Sequence, residues 1–279
     1  MKKTLALFLM LLFSWSLAIG QEQATTSKGV KVILWENGTW TYADSSAADH
    51  TAVIPGLEIP RTTAKDAIIK HTGYTLSYNE EYEQANWVAY ELTREETKKA
   101  VERSNKFKPD PLVKTGSARD EDYLSSGYDR GHLAPAADMS WSVKTMTESF
   151  YYSNMSPQEQ AFNRGIWKKL EEQVRDWAVQ NGDIYVVTGP VLVPGLKTIG
   201  PDKVAVPKAY YKVILDYSLP DIKGIAFVMP NEASDKPLQS FVVSIDTVEK
   251  LTGLDFFPLL PDAQENTIEK TVCLKCWEW

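Results

Sequence analysis

An α+β fold, with a mostly antiparallel central sheet and inserted helices, is what this sequence predicts. Three observations carry the expectation. Five short runs rich in β-branched and aromatic residues recur along the chain, and turn residues separate several of them. One long segment, 158–180, instead has apolar residues at helical spacing. The stretch from about residue 56 to Trp279 is long enough for one domain with a sizeable core.

The elements follow in chain order. Lys2 and Lys3 precede an apolar run from Leu5 to Ile19, and Ala18 and Gly20 are small residues before Gln21. This is the pattern of a signal peptide over residues 1–20, and its apolar run is shorter than the ~20 residues a spanning helix needs. The expectation is an exported protein, periplasmic or secreted, with no membrane attachment after signal cleavage. Residues 29–43, GVKVILWENGTWTYA, alternate apolar and polar side chains around Asn37-Gly38, a hairpin signal. A small polar linker with Pro55 and Pro60 follows, so residues 21–55 read as hairpin plus linker and 56–279 as the main domain. The strand runs are NWVAYELT (86–93), DIYVVTGPVLV (183–193), YYKVILDY (210–217), GIAFVMP (224–230) and FVVSIDTVEKL (241–251).

The helix is expected from about Gln158 to Gln180, with Ser156-Pro157 as its start signal and Asn181-Gly182 as its end. Its apolar stripe contains Phe162, Ile166, Leu170, Val174 and Trp177, and Asn163 falls inside that stripe. A buried amide must find partners: a neighbouring backbone group, or an ion held by its carbonyl oxygen. Glu171 and Arg175 lie on the shoulder of the stripe at i, i+4, the spacing of an ordinary surface ion pair.

Removing residues 1–20 leaves 28 basic residues against 37 acidic ones, a formal charge of −9. General attraction to polyanions is thereby excluded, and any polyanion site must be local. One local candidate exists. Lys98, Lys99, Arg103, Lys106, Lys108, Lys114 and Arg119 stand against Glu102 and Asp110, a balance of +5. With Arg130, Arg164, Lys168, Lys169 and Arg175 they would line a cationic cleft for nucleic-acid backbone; alone, the segment reads equally as a solvated loop. Cys273 and Cys276 suit a disulfide that clips the tail, or an unpaired structural role, since two further zinc ligands are not nearby. Of the three histidines, His50 lies in the linker and His71 in an apparent exposed turn.

His132 is different, because it stands in DRGHLAP (129–135), a compact segment ended by proline. With YYSNMSPQEQAFNRGIWKKLEEQVR (151–175) and YVVTGPVL (185–192), this block resembles the DNA/RNA non-specific endonucleases, the sugar-non-specific bacterial nucleases and their mitochondrial relatives. The likeness runs from about residue 57 to 260. It implies a ββα-metal active site and a Mg²⁺-dependent endonuclease, with Mn²⁺ as an alternative ion, acting on DNA and RNA with little sequence preference. His132 would be the general base, and Asn163 the one direct protein ligand of the ion. Glu171 would hold the ion's waters. Arg130 and Arg175 would contact the scissile phosphate, Arg103 would bind substrate more loosely, and Asn154 would orient the histidine or support the site. Asp129 would brace the loop.

The chemistry asks for these groups independently. Phosphodiester hydrolysis needs a base active near neutral pH, which imidazole provides. It also needs charge neutralised at the phosphate, by guanidinium groups and a hard cation that keeps most of its water. Two alternatives remain: a nuclease-like protein that holds nucleic acid without turnover, and a phosphodiesterase with a narrower substrate.

Overall fold

The computed structural model describes residues 22–25, 31–34, 40–42, 54–218 and 222–279. The chain divides into two compact units, Met1–Val53 and Ile54–Trp279. In the first, strands β1 (Glu22–Thr25), β2 (Lys31–Leu34) and β3 (Trp40–Tyr42) form an antiparallel sheet in that order. Val32 faces Tyr42 and Leu34 faces Trp40, so β2 and β3 pair as the alternation expects, while β1 adds a strand that the sequence did not reveal. The Asn37-Gly38 turn, the expected signal peptide and His50 lie outside the described residues.

The second unit is built on a seven-stranded sheet. Strands β4 (Ala67–Lys70), β5 (Thr75–Asn79) and β6 (Gln84–Leu92) precede a separate two-stranded ribbon, β7 (Tyr128–His132) and β8 (Met155–Glu159). Then come β9 (Ile184–Pro190), the small hairpin β10 (Thr198–Ile199) and β11 (Val204–Ala205), and β12 (Ala209–Asp216), β13 (Lys223–Pro230) and β14 (Val242–Val243). The large sheet has the order β14-β13-β12-β9-β6-β5-β4, with antiparallel neighbours throughout. Short helices α1 (Asp120–Tyr123) and α2 (Val143–Glu148) lie between β6 and β8 in sequence.

The central strands read as apolar runs because both faces of the sheet are covered. Val88, Tyr90, Val186, Tyr210 and Ile214 pack with Phe162, Ile166, Leu170, Val174 and Trp177. The alternate residues Ala89, Tyr185, Val187, Tyr211 and Val213 pack with residues of two later helices, α5 (Ile245–Thr252) and α6 (Asp262–Lys270), which follow α3 (Gln160–Phe162) and α4 (Lys168–Asn181).

The expected long helix is corrected at its start. Ser156, Pro157 and Gln158 belong to β8, because pairing with β7, in which Arg130 faces Pro157, overrides the cap pattern. Proline is tolerated in this two-stranded ribbon. The chain then makes α3 (Gln160–Phe162), a π-helical segment Asn163–Trp167, and α4 (Lys168–Asn181). Gly165, at φ −107° and ψ −108°, is the non-helical residue that opens the turn. Such wide turns break the regular helical ladder beside functional groups. Gly182, at φ 95°, ends α4. Cys273 and Cys276 are joined as a disulfide, and the tail beyond it packs Trp277 against Trp177, ring centroids 4.6 Å apart. Among the described residues no helix is long and apolar enough to cross a membrane.

Candidate active site

Residues i and i+2 of a strand share a face, so Arg130 and His132 project together from β7. Gly131 between them is required by space: a Cβ there would lie 2.2 Å from the Gln158 side chain, which crosses the ribbon at that point. His132 packs edge-on against Phe150, centroids 4.8 Å apart, with Phe107 at 5.9 Å. The two phenyl rings also carry the arginines. Arg103 lies 5.0 Å over Phe150, and Arg130 lies 4.2 Å over Phe107. One aromatic pair thus seats an imidazole and two guanidinium groups.

His132 is buried, and its Nε2 has no hydrogen-bond partner. Burial, with the Arg103 charge adding to it, pushes its pKa down to about 3, so the ring is neutral at pH 7; Nε2 is sealed inside, and Nδ1, the other ring nitrogen, is the one left accessible to accept a proton. Arg130 donates to Asp120 Oδ1 at 2.7 Å and to the Tyr152 hydroxyl at 3.4 Å, and Tyr152 also bonds Asp120.

Asn154 does not reach the imidazole. Its Nδ2 donates to the carbonyls of Ala134 and Ser149, both at 2.9 Å, and its Oδ1 accepts from the Ala134 N–H at 2.8 Å. All its polar atoms are consumed in fixing the chain after His132, so it supports the site and has nothing left for substrate.

Asp129 does more than brace its own loop. It accepts from Asn163 Nδ2 at 2.9 Å and from two nitrogens of Arg164, at 2.8 and 2.7 Å. This fixes which end of the Asn163 amide is which. Among the described residues its Oδ1 accepts no hydrogen bond, so the carbonyl remains available to a cation. An oxygen ligand of this kind suits Mg²⁺ or Mn²⁺, with Glu171 as a second oxygen donor.

The expected Glu171–Arg175 surface pair does not form. Arg175 instead donates to Oδ1 of the fully buried Asp138 at 2.8 Å, and Tyr90 donates to the other oxygen at 2.7 Å. The fully buried Asp138 carboxylate, which Tyr90 also holds, takes this guanidinium in place of the partly buried Glu171. Glu171 is pushed up to about pKa 7, chiefly by burial and also by Asp138, against the opposing charges of Lys212, Arg175 and Arg103. Arg103 therefore acts electrostatically on both His132 and Glu171.

Lys212, not anticipated, is fully buried on β12; its Nζ donates to Thr188 Oγ1 at 2.6 Å and lies 5.1 Å over Trp167. Burial pushes it down to about pKa 8, while Glu171 and Asp138 hold it up. The signal was in YYKVILDY: a lysine inside an apolar strand is a buried charge in need of a partner. Gln158 was also missed. It is fully buried, and neither its Oε1 nor its Nε2 has a partner. Thr188, on β9, is what seats Lys212.

Arg103 and Arg175 line one pocket of about 220 Å³ with Lys99, Ser140 and Met146. Arg130 and Asp129 line another of about 500 Å³ with Tyr128. The basic segment is less bare than its composition suggests: Lys98 pairs with Glu95, Lys99 with Glu102 and Arg119 with Asp202. His71 is corrected too. It is buried, with Nε2 2.8 Å from Asp110 Oδ2, a structural pair under the loop. Burial of Asp110 is outweighed by hydrogen bonds from His71, Ser153 and the Leu112 N–H, which hold its carboxyl below the usual range.

Residues 58–263 match the family described as DNA/RNA non-specific endonuclease. The chain is 38% identical over 229 residues to a mitochondrial nuclease EXOG of Danio rerio, covering 76% of this chain and 66% of that one. It is 36% identical over 200 residues to mitochondrial endonuclease G of Homo sapiens, covering 66% and 67%. A crystal structure of the EndoG/EndoGI complex superposes with a TM-score of 0.68 at 37% identity, over 73% of this chain and 90% of that one.

The chain belongs to the DNA/RNA non-specific endonuclease family. It spans 56–66% of the length of the four EXOG relatives it matches. The fold expected from the strand and helix pattern is the fold of this family. The expected periplasmic or secreted location does not stand. These relatives are mitochondrial nucleases, which points away from an exported protein, and the export pattern rested on the composition of residues 1–20 alone.

Proposed function

We propose that the protein is a metal-dependent endonuclease that hydrolyses phosphodiester bonds of DNA and RNA with little sequence preference, with His132 as general base. The observation that carries this reading is the neutral ring of His132, without a hydrogen bond among the described residues, between two arginines seated on the same pair of phenyl rings. The family is one of metal-dependent nucleases. Asn163 Oδ1, with Glu171 beyond it, would hold a hard divalent cation, Mg²⁺ by preference. When bound, such an ion neutralises charge on the phosphate and the leaving oxygen.

The protein's own groups would do the rest. Arg130 and Arg175 meet the phosphate, and Arg103 holds the strand; each is already oriented by a carboxylate, a ring or both. His132 takes the proton of the attacking water at Nδ1, the ring nitrogen that is not sealed inside. An imidazole poised near pKa 3 is a weak base, and a phosphate beside Arg103 raises it by cancelling part of the charge that depresses it. Asn154 keeps the chain after His132 fixed, and Asp129 keeps the Asn163 carbonyl turned outward.

Digestion of plasmid DNA, RNA and a dinucleotide phosphodiester, each with Mg²⁺ and with a chelator, tests the reading. We expect both polymers to be cut only with the ion, and the dinucleotide poorly. Binding of either polymer without cleavage would overturn it in favour of a nucleic-acid holder, and cleavage of the dinucleotide alone in favour of a narrower phosphodiesterase.

A further inference from the structure

Arg130 and His132 belong to a longer row. Tyr128, two residues before Arg130 on β7, projects from the same face, because the ribbon pairs in unbroken register from Tyr128 opposite Glu159 to His132 opposite Met155. Alternate side chains of a strand repeat about every 6.6 Å, close to one sugar–phosphate unit of an extended nucleic-acid strand. The row continues past Tyr128. Lys197 Nζ stands 5.2 Å from the Tyr128 ring centroid and donates to its hydroxyl at 3.5 Å. Lys197 is exposed and is in no ion pair with any described residue, and the Val206 N–H fixes its backbone by donating to its carbonyl at 2.7 Å.

Tyr128 is half-buried and lines the pocket of about 500 Å³ that Asp129 and Arg130 also border. Leu124, 77% exposed, adds apolar wall. Two carboxylates stand there as well. Asp120 is bound by Arg130 and Tyr152, whereas Glu121 has only Arg119, at 3.9 Å. A pocket of this composition repels phosphate and suits a nucleobase. The base offers its flat face to Tyr128 and, in adenine, cytosine and guanine, an exocyclic amino group to Glu121. Arg130, Tyr128 and Lys197 thus present a cation, an aromatic ring and a second cation in succession, the complement of phosphate, base and phosphate.

We propose that Tyr128 is the stacking platform for the base of the nucleotide next to the phosphate held by Arg130, and that Lys197 meets the phosphate beyond it, so that the strand runs along β7 from His132 towards Lys197. This rests on the nuclease reading in placing a phosphate at Arg130 and His132. A base lies on Tyr128 only after leaving its duplex stack, so the subsite takes unpaired strand.

The test is equilibrium binding of a single-stranded DNA octamer carrying 2-aminopurine, whose fluorescence is quenched by stacking, with a chelator present so that the strand stays whole. Saturable quenching is expected with the parent chain. Tyr128→Leu should weaken Kd about tenfold and remove most of the quenching at unchanged Tm, whereas Tyr128→Phe should keep both, since stacking uses the ring and not the hydroxyl. Lys197→Ala should keep the quenching and lower the slope of log Kd against log salt by about one. Parent-like affinity and quenching in Tyr128→Leu would overturn the subsite, as would a parent-like salt slope in Lys197→Ala should Tyr128→Leu fail to fold, or a parent chain that does not bind the octamer. Plasmid cleavage with Mg²⁺ on the same preparations separates the two readings. A parent that cuts, with Tyr128→Leu binding as the parent does, sinks the subsite alone; a parent that binds through Tyr128 without cutting sinks the nuclease reading and leaves the subsite in place.

Discussion

The two sides of the candidate active site solve opposite electrostatic problems. On the β7 side His132 is buried with no counter-charge and no hydrogen bond at Nε2, so it is held neutral. On the α4 side Glu171, Lys212, Asp138 and Arg175 are packed closely enough to perturb one another. The first side excludes charge by desolvation with nothing opposing it, whereas on the second opposite charges work against desolvation and leave Glu171 at about pKa 7 and Lys212 at about pKa 8. A base is wanted uncharged until it acts, and a cation or a phosphate arriving on the second side would favour the charged forms already held close to neutrality.

The largest way to break the comparison is His132→Ala. We expect kcat to fall about 10³-fold, the usual worth of a positioned base, while nucleic-acid affinity and Tm change little. Unchanged kcat would place the base elsewhere, with Glu171 the next group to test. Lys212→Met probes the other side. It leaves Glu171 and Asp138 short of a cation, and breaking a buried charge set in this way costs about 3–5 kcal/mol. Because the stranded carboxyls can take up protons, the loss in denaturant-derived stability should be smaller at pH 5 than at pH 8. A loss independent of pH would mean that Lys212 matters only for packing.

Titration sharpens the contrast further, because the two sides should respond to pH with opposite signs. The folded pKa of His132 lies below its unfolded value of 6.5, so native protein binds fewer protons and the stability tied to the neutral ring is lost as pH falls from 6.5 towards 3. The folded pKa of Glu171 is raised from 4.5 to about 7, so its contribution is fully present below pH 4.5 and is lost as pH rises through 7. Stability curves of His132→Ala and Glu171→Gln, each compared with the parent, should therefore diverge from it at opposite ends of the range. Curves that run parallel to the parent would contradict both assignments.

Much of the fold and part of this site were legible in the sequence, and the division has physical causes. β-branched runs separated by turns report a sheet directly, since side-chain packing on a pleated surface selects those residues. His132, Asn163, Glu171 and Arg175 stood out because polar groups of catalytic type recurred in blocks resembling a known family. The helix start was misread because Ser156-Pro157 satisfies a local cap rule, and only the partner strand β7, 25 residues or more away, reveals that the same residues pair as β8. Lys212 and Asp138 were missed for a similar reason. A buried charge is explained by its partner, and partners on β12, α4 and the chain after β7 are not adjacent in any one-dimensional pattern.

The smallest effect concerns Arg164, the exposed member of the Asp129 set. Its side chain is 66% exposed, so its two bonds to Asp129 compete with water, whereas the bond from Asn163 Nδ2 to the same carboxylate is partly buried. Arg164→Ala should leave Tm unchanged and reduce cleavage only a few-fold, with the Mg²⁺ dependence of rate unaltered, because Asp129 still fixes the amide. Asp129→Asn should do more: an amide in place of the carboxylate can present its N–H₂ end to Asn163, and the Asn163 carbonyl would then turn inward to accept from it. A Mg²⁺ titration of rate separates the cases. If Arg164→Ala shifted the half-saturating Mg²⁺ concentration as far as Asp129→Asn, the guanidinium, and not the carboxylate, would be orienting the amide.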